Sequence, residues 1–149
     1  MKLRIAIVGC GKVAHLHAAA LARIPEAGLT AVIDADPVRA RAFAAKYRAR
    51  AVSEISAAQA DIAIVCTPHP QHAGAAIAAA NAGLPVLVEK PLAATVADCD
   101  AMIAAAARNR VRLGVVSQRR WFEPVRRMKD AIDAGKLGRP ILGAVTMYS

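Results

Sequence analysis

The sequence predicts an α/β fold in which helices cover both faces of a doubly wound parallel sheet. Short runs rich in β-branched residues alternate with longer alanine-rich segments, which is the pattern of strands joined by crossover helices. The 149 residues are 56% hydrophobic and only 3% aromatic, so we expect the helices to pack closely on the sheet through small side chains. This length suits one domain with its own core, and a second full domain does not fit.

Six strands and four long helices are predicted in alternation along the chain. The strands are expected at residues 3–8, 29–33, 51–52, 62–66, 85–88 and 111–116. The helices between them are expected at residues 13–24, 37–47, 71–82 and 96–109, with a short helical turn at residues 55–59. Six strands make up a complete dinucleotide-binding sheet.

The pattern changes after Val116. The segment "SQRRWFEP" is polar and aromatic, residues 124–134 form an amphipathic helical pattern, and "PILGAVTMYS" is expected to begin a strand. Such a strand needs a partner that the sequence does not supply. We therefore expect residues 1–117 to form the nucleotide-binding domain and residues 118–149 to be the start of a truncated C-terminal α/β domain. The apolar residues of this segment are expected either to fold back over the sheet or to pair with another copy of the chain.

The composition of the chain limits which binding partners and which cellular compartment we expect. The net charge of +9 is spread along the chain, and the basic stretches near the C-terminus lack interleaved aromatic residues, so neither nucleic acid nor a membrane is expected as a partner. Cys10, Cys66 and Cys99 show neither disulfide nor zinc spacing, which favours a reducing cytoplasm. The apolar part of "MKLRIAIVGC" is too short for a signal peptide, and no run is long enough to span a membrane.

A glycine motif follows the first predicted strand. In "VGCGKVA", Gly9, Gly11 and Ala14 form G-x-G-x-x-A between a strand and a helix that Lys12 and Val13 open. Gly9 would allow the tight turn, and Gly11 would let a pyrophosphate approach the backbone near the free N–H groups of the helix start. The alternative is an ordinary glycine-rich turn.

A carboxylate stands at the end of the second predicted strand. Asp34 in "VIDADP" is placed to receive the ribose hydroxyls of the adenosine, and it would repel a 2′-phosphate. NAD is therefore the expected cofactor, with NADP disfavoured, although Arg39 and Arg41 are near enough in sequence to weaken that preference. Asp36, directly before Pro37, is the better candidate for a helix cap.

The segment "IVCTPHPQH" follows the fourth predicted strand, where the strand order of a doubly wound sheet reverses and ligands enter. Thr67 and Pro68 are expected to contact the cofactor there. His69 and His72 could hold a metal, but no third ligand is at hand, so no metal is expected. His72 is expected to act as a cap or a cofactor contact.

Together with "VLVEKPLA" and "GVVSQRRW", these motifs resemble the Gfo/Idh/MocA oxidoreductases, the glucose-fructose oxidoreductase and inositol dehydrogenase group. The resemblance implies an NAD(P)-binding Rossmann domain and a second domain that carries much of the substrate pocket. It also implies a sugar, cyclitol or related alcohol as substrate. The sequence departs from the family pattern at His69, where Asn is frequent, and at Trp121, where Phe is frequent.

The resemblance also assigns roles to the Glu-Lys-Pro motif. Glu89, Lys90 and Pro91 would lie beside the nicotinamide, with Lys90 as acid or base for the substrate hydroxyl or carbonyl. Glu89 is expected to point toward the ribose or the backbone rather than toward the ammonium of Lys90. Arg120 is carried over as a ligand or cofactor contact. The alternatives are a surface salt bridge at the strand end and, for the whole chain, a dinucleotide-binding regulatory module without turnover. By itself the 149-residue chain is expected to be inactive.

Overall fold

The computed structural model describes residues 2–144 and 146, which divide into two compact units, Met1–Val116 and Ser117–Ser149. Strands and helices alternate through the first unit. The strands are β1 (Leu3–Val8), β2 (Ala27–Ile33), β3 (Arg50–Ala51), β4 (Ile62–Val65), β5 (Val86–Val88) and β6 (Leu113–Val115). The helices are α1 (Lys12–Leu21), α2 (Pro37–Tyr47), α3 (His72–Asn81) and α4 (Val96–Arg108), with short 3-10 turns at Ile55–Ala57 and His69–Gln71.

The six strands form one parallel sheet in the order β3-β2-β1-β4-β5-β6. The order reverses between β1 and β4, which are neighbours in the sheet although two strands separate them in sequence. Their carboxyl ends lie side by side, with Val8 opposite Val65. The crevice beyond such a reversal point is where ligands bind in doubly wound sheets.

Side chains of alternating strand residues build a core on each face of the sheet. Ile64 belongs to a cluster with Ile7 of β1, Ala14 of α1 and Phe43 of α2. Its neighbours in β4, Ala63 and Val65, face the other side and pack with residues of α3 and α4. Small side chains at the contacts let the helices approach closely, as the alanine-rich composition predicts.

Local capping explains where two of the helices begin. The side chain of Asp36 accepts hydrogen bonds from the N–H groups of Val38 and Arg39, and Pro37 occupies the first turn of α2. The hydroxyl of Thr95 accepts a hydrogen bond from the N–H of Asp98 at the start of α4. The prediction that Asp36 caps α2 is thus confirmed.

An ion pair joins the two central strands at the opposite edge of the sheet. The guanidinium of Arg4 donates to both carboxylate oxygens of Asp61, at 2.7 and 3.2 Å, and the backbone N–H of Arg4 donates to the same carboxylate at 2.8 Å. These hydrogen bonds lower the pKa of Asp61 from 3.8 to about 2. The start of β1 is therefore tied to the residue that precedes β4.

The second unit, Ser117–Ser149, is mainly helical in its described part. It contains a 3-10 turn at Gln118–Trp121 and helix α5 (Glu123–Asp133), close to the helix predicted at residues 124–134. Ion pairs of Glu123 with Arg127 and of Lys129 with Asp133 lie along α5. None of its residues is buried.

The strand predicted in "PILGAVTMYS" is wrong for the residues that the structure describes. Residues 140–144 and 146 lie in no strand, and Ile141 and Leu142 are almost fully exposed. An apolar β-branched run forms a strand only when a neighbour supplies the ladder hydrogen bonds, and the described tail supplies none. Val145 and residues 147–149 lie outside the described part of the chain.

Candidate cofactor site

The loop between β1 and α1 lies close to the backbone at the end of β4. Gly9 has a φ of +92°, and a Cβ added to it would lie 2.6 Å from the backbone nitrogen of Thr67, at the end of β4. Only glycine combines that φ with this approach at low cost. The prediction that Gly9 makes the tight turn is confirmed, and the turn is pressed against the neighbouring strand.

Gly11 differs from Gly9 because it borders open space. A Cβ added to Gly11 would meet no atom within 4 Å, and its φ is −78°. Glycine is therefore not required here by the fold. The space in front of the Gly11 backbone is what a bound phosphate group needs.

The start of helix α1 is suited to an anion. Gly11 is its N-cap, no side chain caps the helix, and its first turn has no acidic residue. Lys12 and Val13 are exposed at this end, whereas Ala14 is completely buried against the sheet. Uncapped N–H groups and the positive end of the helix dipole favour negative charge at this point.

Asp34 lies just after β2 and braces the glycine loop. One carboxylate oxygen accepts the N–H of Cys10 at 2.8 Å, and the other accepts the N–H of Asp36 at 2.8 Å and contacts the guanidinium of Arg39 at 3.4 Å. Only 7% of its side chain is exposed. A carboxylate has about four lone-pair positions, so room for one further hydrogen bond remains.

Two cysteines near the loop are buried. Burial, joined by the negative charge of Asp34, raises the pKa of the Cys10 thiol to about 11. Burial, with a smaller contribution from the charge of Glu89, raises the pKa of the Cys66 thiol to about 12. Cys10 therefore fills space inside the fold.

The segment after β4 carries a hydroxyl without a partner. The Oγ1 atom of Thr67 is buried and makes no hydrogen bond to any residue that the structure describes. Pro68 and His69 are exposed beside it. An unpaired buried hydroxyl is rare in folded proteins and calls for an explanation such as a ligand contact.

His72 is buried next to the site and contacts two of its backbone carbonyl groups. Its ring is completely buried, with Nδ1 2.9 Å from the carbonyl oxygen of Pro91 and Nε2 2.9 Å from the carbonyl oxygen of Thr67. It is the first residue of α3 and does not cap that helix. The predicted cofactor contact is therefore not available to this ring, which instead links the segments after β4 and β5.

The Glu-Lys-Pro motif follows β5 at the same edge of the sheet. The Oε1 atom of Glu89 lies 2.8 Å from Nε2 of His17, and Oε2 accepts the backbone N–H of Lys90 at 3.1 Å. Lys90 is exposed, and the Lys90–Pro91 peptide bond is cis. The structure thus brings Glu89 to a histidine of α1 that the sequence did not single out.

The position of His17 on α1 could have been recognised from the spacing of the apolar residues in the sequence. The buried residues of α1 are Ala14, Ala18 and Leu21, and His17 lies three residues after the first of them, next to the same face. A histidine at that spacing faces the sheet edge and needs a polar partner there. The partner itself, 72 residues away, could not be read from helix periodicity.

Arg120, predicted as a ligand contact, lies in the second unit within the 3-10 turn and is exposed. Metal binding by His69 and His72 finds no support, because the described residues contain no group of three or more residues that could hold an ion. Over the same part of the chain, no helix is both long and apolar enough to cross a membrane.

The fold and the glycine loop agree with a match to a known family. The model of the Gfo/Idh/MocA family, described as "Oxidoreductase family, NAD-binding Rossmann fold", matches residues 3–117. The chain belongs to this oxidoreductase family. The match covers all six strands, and the resemblance inferred from the sequence motifs is confirmed.

Relatives of this family member include dehydrogenases. An inositol 2-dehydrogenase of Saccharopolyspora erythraea is 39% identical over 150 residues, covering 95% of this chain and 44% of that protein. A D-apiose dehydrogenase of Paraburkholderia graminis is 34% identical over 149 residues, covering 97% and 40%. The chain therefore spans less than half the length of these relatives.

A solved dehydrogenase structure has the same fold as this chain. The WlbA dehydrogenase of Bordetella pertussis, in complex with NADH and UDP-GlcNAcA, is 35% identical and superposes with a TM-score of 0.89. The match covers 93% of this chain and 41% of that protein. The Rossmann fold predicted from the sequence is confirmed.

Proposed function

We propose that this chain binds NAD along the carboxyl edge of its sheet and supplies the cofactor half of a dehydrogenase. The observation that carries the proposal is the uncapped start of α1 behind Gly11, where open space meets backbone N–H groups. Gly9, Lys12 and Val13 complete this pyrophosphate cradle. The unpaired hydroxyl of Thr67, with Pro68 beside it, is a further contact for the bound cofactor.

Asp34 supports NAD rather than NADP. Its remaining lone-pair position suits a ribose hydroxyl, and its negative charge opposes a 2′-phosphate. Arg39 weakens this preference, because its guanidinium already contacts Asp34 and is itself largely exposed. A 2′-phosphate could draw that guanidinium away, so NADP stays the less favoured cofactor.

Lys90 is the residue of this chain that we assign to proton transfer. When bound, NAD accepts a hydride, and the oxidised hydroxyl must lose its proton in the same reaction. Lys90 lies exposed at the end of β5, one strand away from β4 and Thr67, so its amine can reach a substrate placed over that edge. Glu89 and Pro91 flank it and complete the cofactor side of the site.

The substrate class follows from the relatives' names. Inositol and D-apiose are polyols with secondary hydroxyls, so a sugar, cyclitol or related small molecule is the substrate class that we propose. These dehydrogenase relatives do not favour the alternative of a regulatory module without turnover. Arg120 stays a proposed ligand contact, and residues 118–149 stay the proposed start of a substrate domain. We also propose that copies of the chain associate through this segment, because its Trp121 and Met128 are exposed.

The proposal is tested in a chain that continues this sequence to the length of its relatives. Lys90→Ala should lower kcat by about 10² to 10⁴-fold and change NADH affinity only modestly. Lys46→Ala, on the outer side of α2, is the matched control and should keep full turnover. Unimpaired turnover in Lys90→Ala would contradict the assignment. The 149-residue chain itself should bind NADH without turnover.

A further inference from the structure

Glu89 and Lys90 are neighbours in sequence, yet their side chains are not paired. No ion pair to Lys90 within 4.0 Å occurs among the ion pairs of the described residues. Both oxygens of Glu89 are engaged elsewhere, one by the ring of His17 and the other by the backbone N–H of Lys90. The adjacent ammonium is therefore left without a carboxylate partner.

The contact between His17 and Glu89 is short, and both side chains are mostly buried. The two side chains are only 18% and 14% exposed, and Nε2 lies 2.8 Å from Oε1. Because an ionised carboxylate can only accept hydrogen bonds, Nε2 must carry the proton.

We propose that His17 is a positioning residue that keeps the carboxylate of Glu89 away from Lys90, so that the amine of Lys90 can lose its proton. An ion pair with the neighbouring carboxylate would stabilise the ammonium form and make Lys90 a poorer base. His17 prevents this by holding Oε1 of Glu89 at 2.8 Å. This inference rests on the proposed role of Lys90, but its structural step can be measured without a cofactor.

The experiment measures how fast the amine of Lys90 reacts. The chain is treated at fixed pH with limiting formaldehyde and cyanoborohydride, and methylation of Lys90 is compared by mass spectrometry with that of the exposed Lys136. Only the unprotonated amine reacts. His17→Leu should lower the relative rate at Lys90 by about two- to five-fold, the size of an exposed ion pair.

Two further variants show whether His17 acts through Glu89. His17→Gln, whose amide can donate from about the same position as Nε2, should restore the rate of wild type. The double variant His17→Leu with Glu89→Gln should restore it as well, because no carboxylate is then left to pair with Lys90. If His17→Leu fails to fold by circular dichroism, His17→Asn, whose amide is too short to reach Glu89, takes its place.

Two outcomes would overturn the inference. One is an unchanged Lys90 rate in His17→Leu, and the other is a lowered rate that persists in the double variant. Absence of NADH binding would instead contradict the proposed function and leave the labelling result intact. In a chain continued to the relatives' length, His17→Leu should lower kcat while the KM for NAD stays near that of wild type.

Discussion

The backbone of Gly9 lies so close to Thr67 that a methyl group on Gly9 would come within 2.6 Å of the Thr67 nitrogen. This approach joins the turn after β1 to the end of β4, the two strands at which the sheet order reverses. The glycine loop is therefore part of the packing of the sheet as well as a candidate phosphate site. Variants of Gly9 test the structural role of this loop, and variants of Gly11 test its role in binding.

Gly9→Ala should destabilise the fold strongly. The left-handed φ of +92° and the clash with backbone atoms of Cys66 and Thr67 should together lower the free energy of unfolding by roughly 2 to 6 kcal/mol. Gly74→Ala is the matched control, because Gly74 is exposed within α3 and its added methyl would meet nothing within 4 Å. It should stabilise the chain by about 0.5 to 1 kcal/mol. Urea denaturation measures both, and equal stabilities would refute the packing role of Gly9.

Acid should weaken the ion pair between Arg4 and Asp61. The folded pKa of Asp61 is about 2 and its usual value is 3.8, so the unfolded state binds the proton first as the pH falls. The stability from this pair is complete above the unfolded pKa and is lost as the pH falls through the folded pKa. In urea denaturation between about pH 5 and pH 2, Asp61→Asn and Arg4→Gln should both show a shallower loss of stability than wild type. Curves parallel to wild type would contradict this.

Thiol reactivity should separate the buried cysteines from Cys99. With pKa values of about 11 and 12, Cys10 and Cys66 are thiolates in only roughly one molecule in 10³ or 10⁴ at pH 8, and both are buried. Cys99 is partly exposed. In the folded chain, iodoacetamide should therefore modify Cys99 first, and mass spectrometry of peptides locates the label. Labelling of Cys10 at the rate of Cys99 would show that the glycine loop opens in solution.

Much of the fold follows from local sequence signals. Asp36 before Pro37 identifies the start of α2, and the run before Gly9 identifies β1, because capping and strand periodicity involve residues close in sequence. The pair of His17 with Glu89 and the burial of His72 between two carbonyl oxygens could not be predicted this way. Both depend on which strands become neighbours in the sheet. The strand expected at Ile141 failed for the same reason, since its formation depends on a partner.

Asp34 should set the choice between NADH and NADPH. Asp34→Asn keeps an oxygen that can accept the N–H of Cys10 but removes the charge, so the affinity ratio should shift toward NADPH by about ten-fold or more. Asp100→Asn, which removes an exposed carboxylate of α4 away from the glycine loop, is the control and should leave the ratio unchanged. Fluorescence titration with both dinucleotides measures the ratios. A wild-type chain that binds NADPH as tightly as NADH would contradict the role of Asp34.

Calorimetric titration of NADH into the wild-type chain and into Gly11→Ala tests most directly whether the start of α1 holds the cofactor. An alanine fits the backbone of Gly11 without any contact within 4 Å, so the variant should stay folded, which its melting temperature checks. Its methyl group would occupy the space proposed for the pyrophosphate. We expect one NADH per wild-type chain and affinity lower by about ten-fold or more in Gly11→Ala, since a misfit removes the gain from close phosphate contact. No binding by the wild-type chain, or equal affinity in the folded variant, would contradict the account.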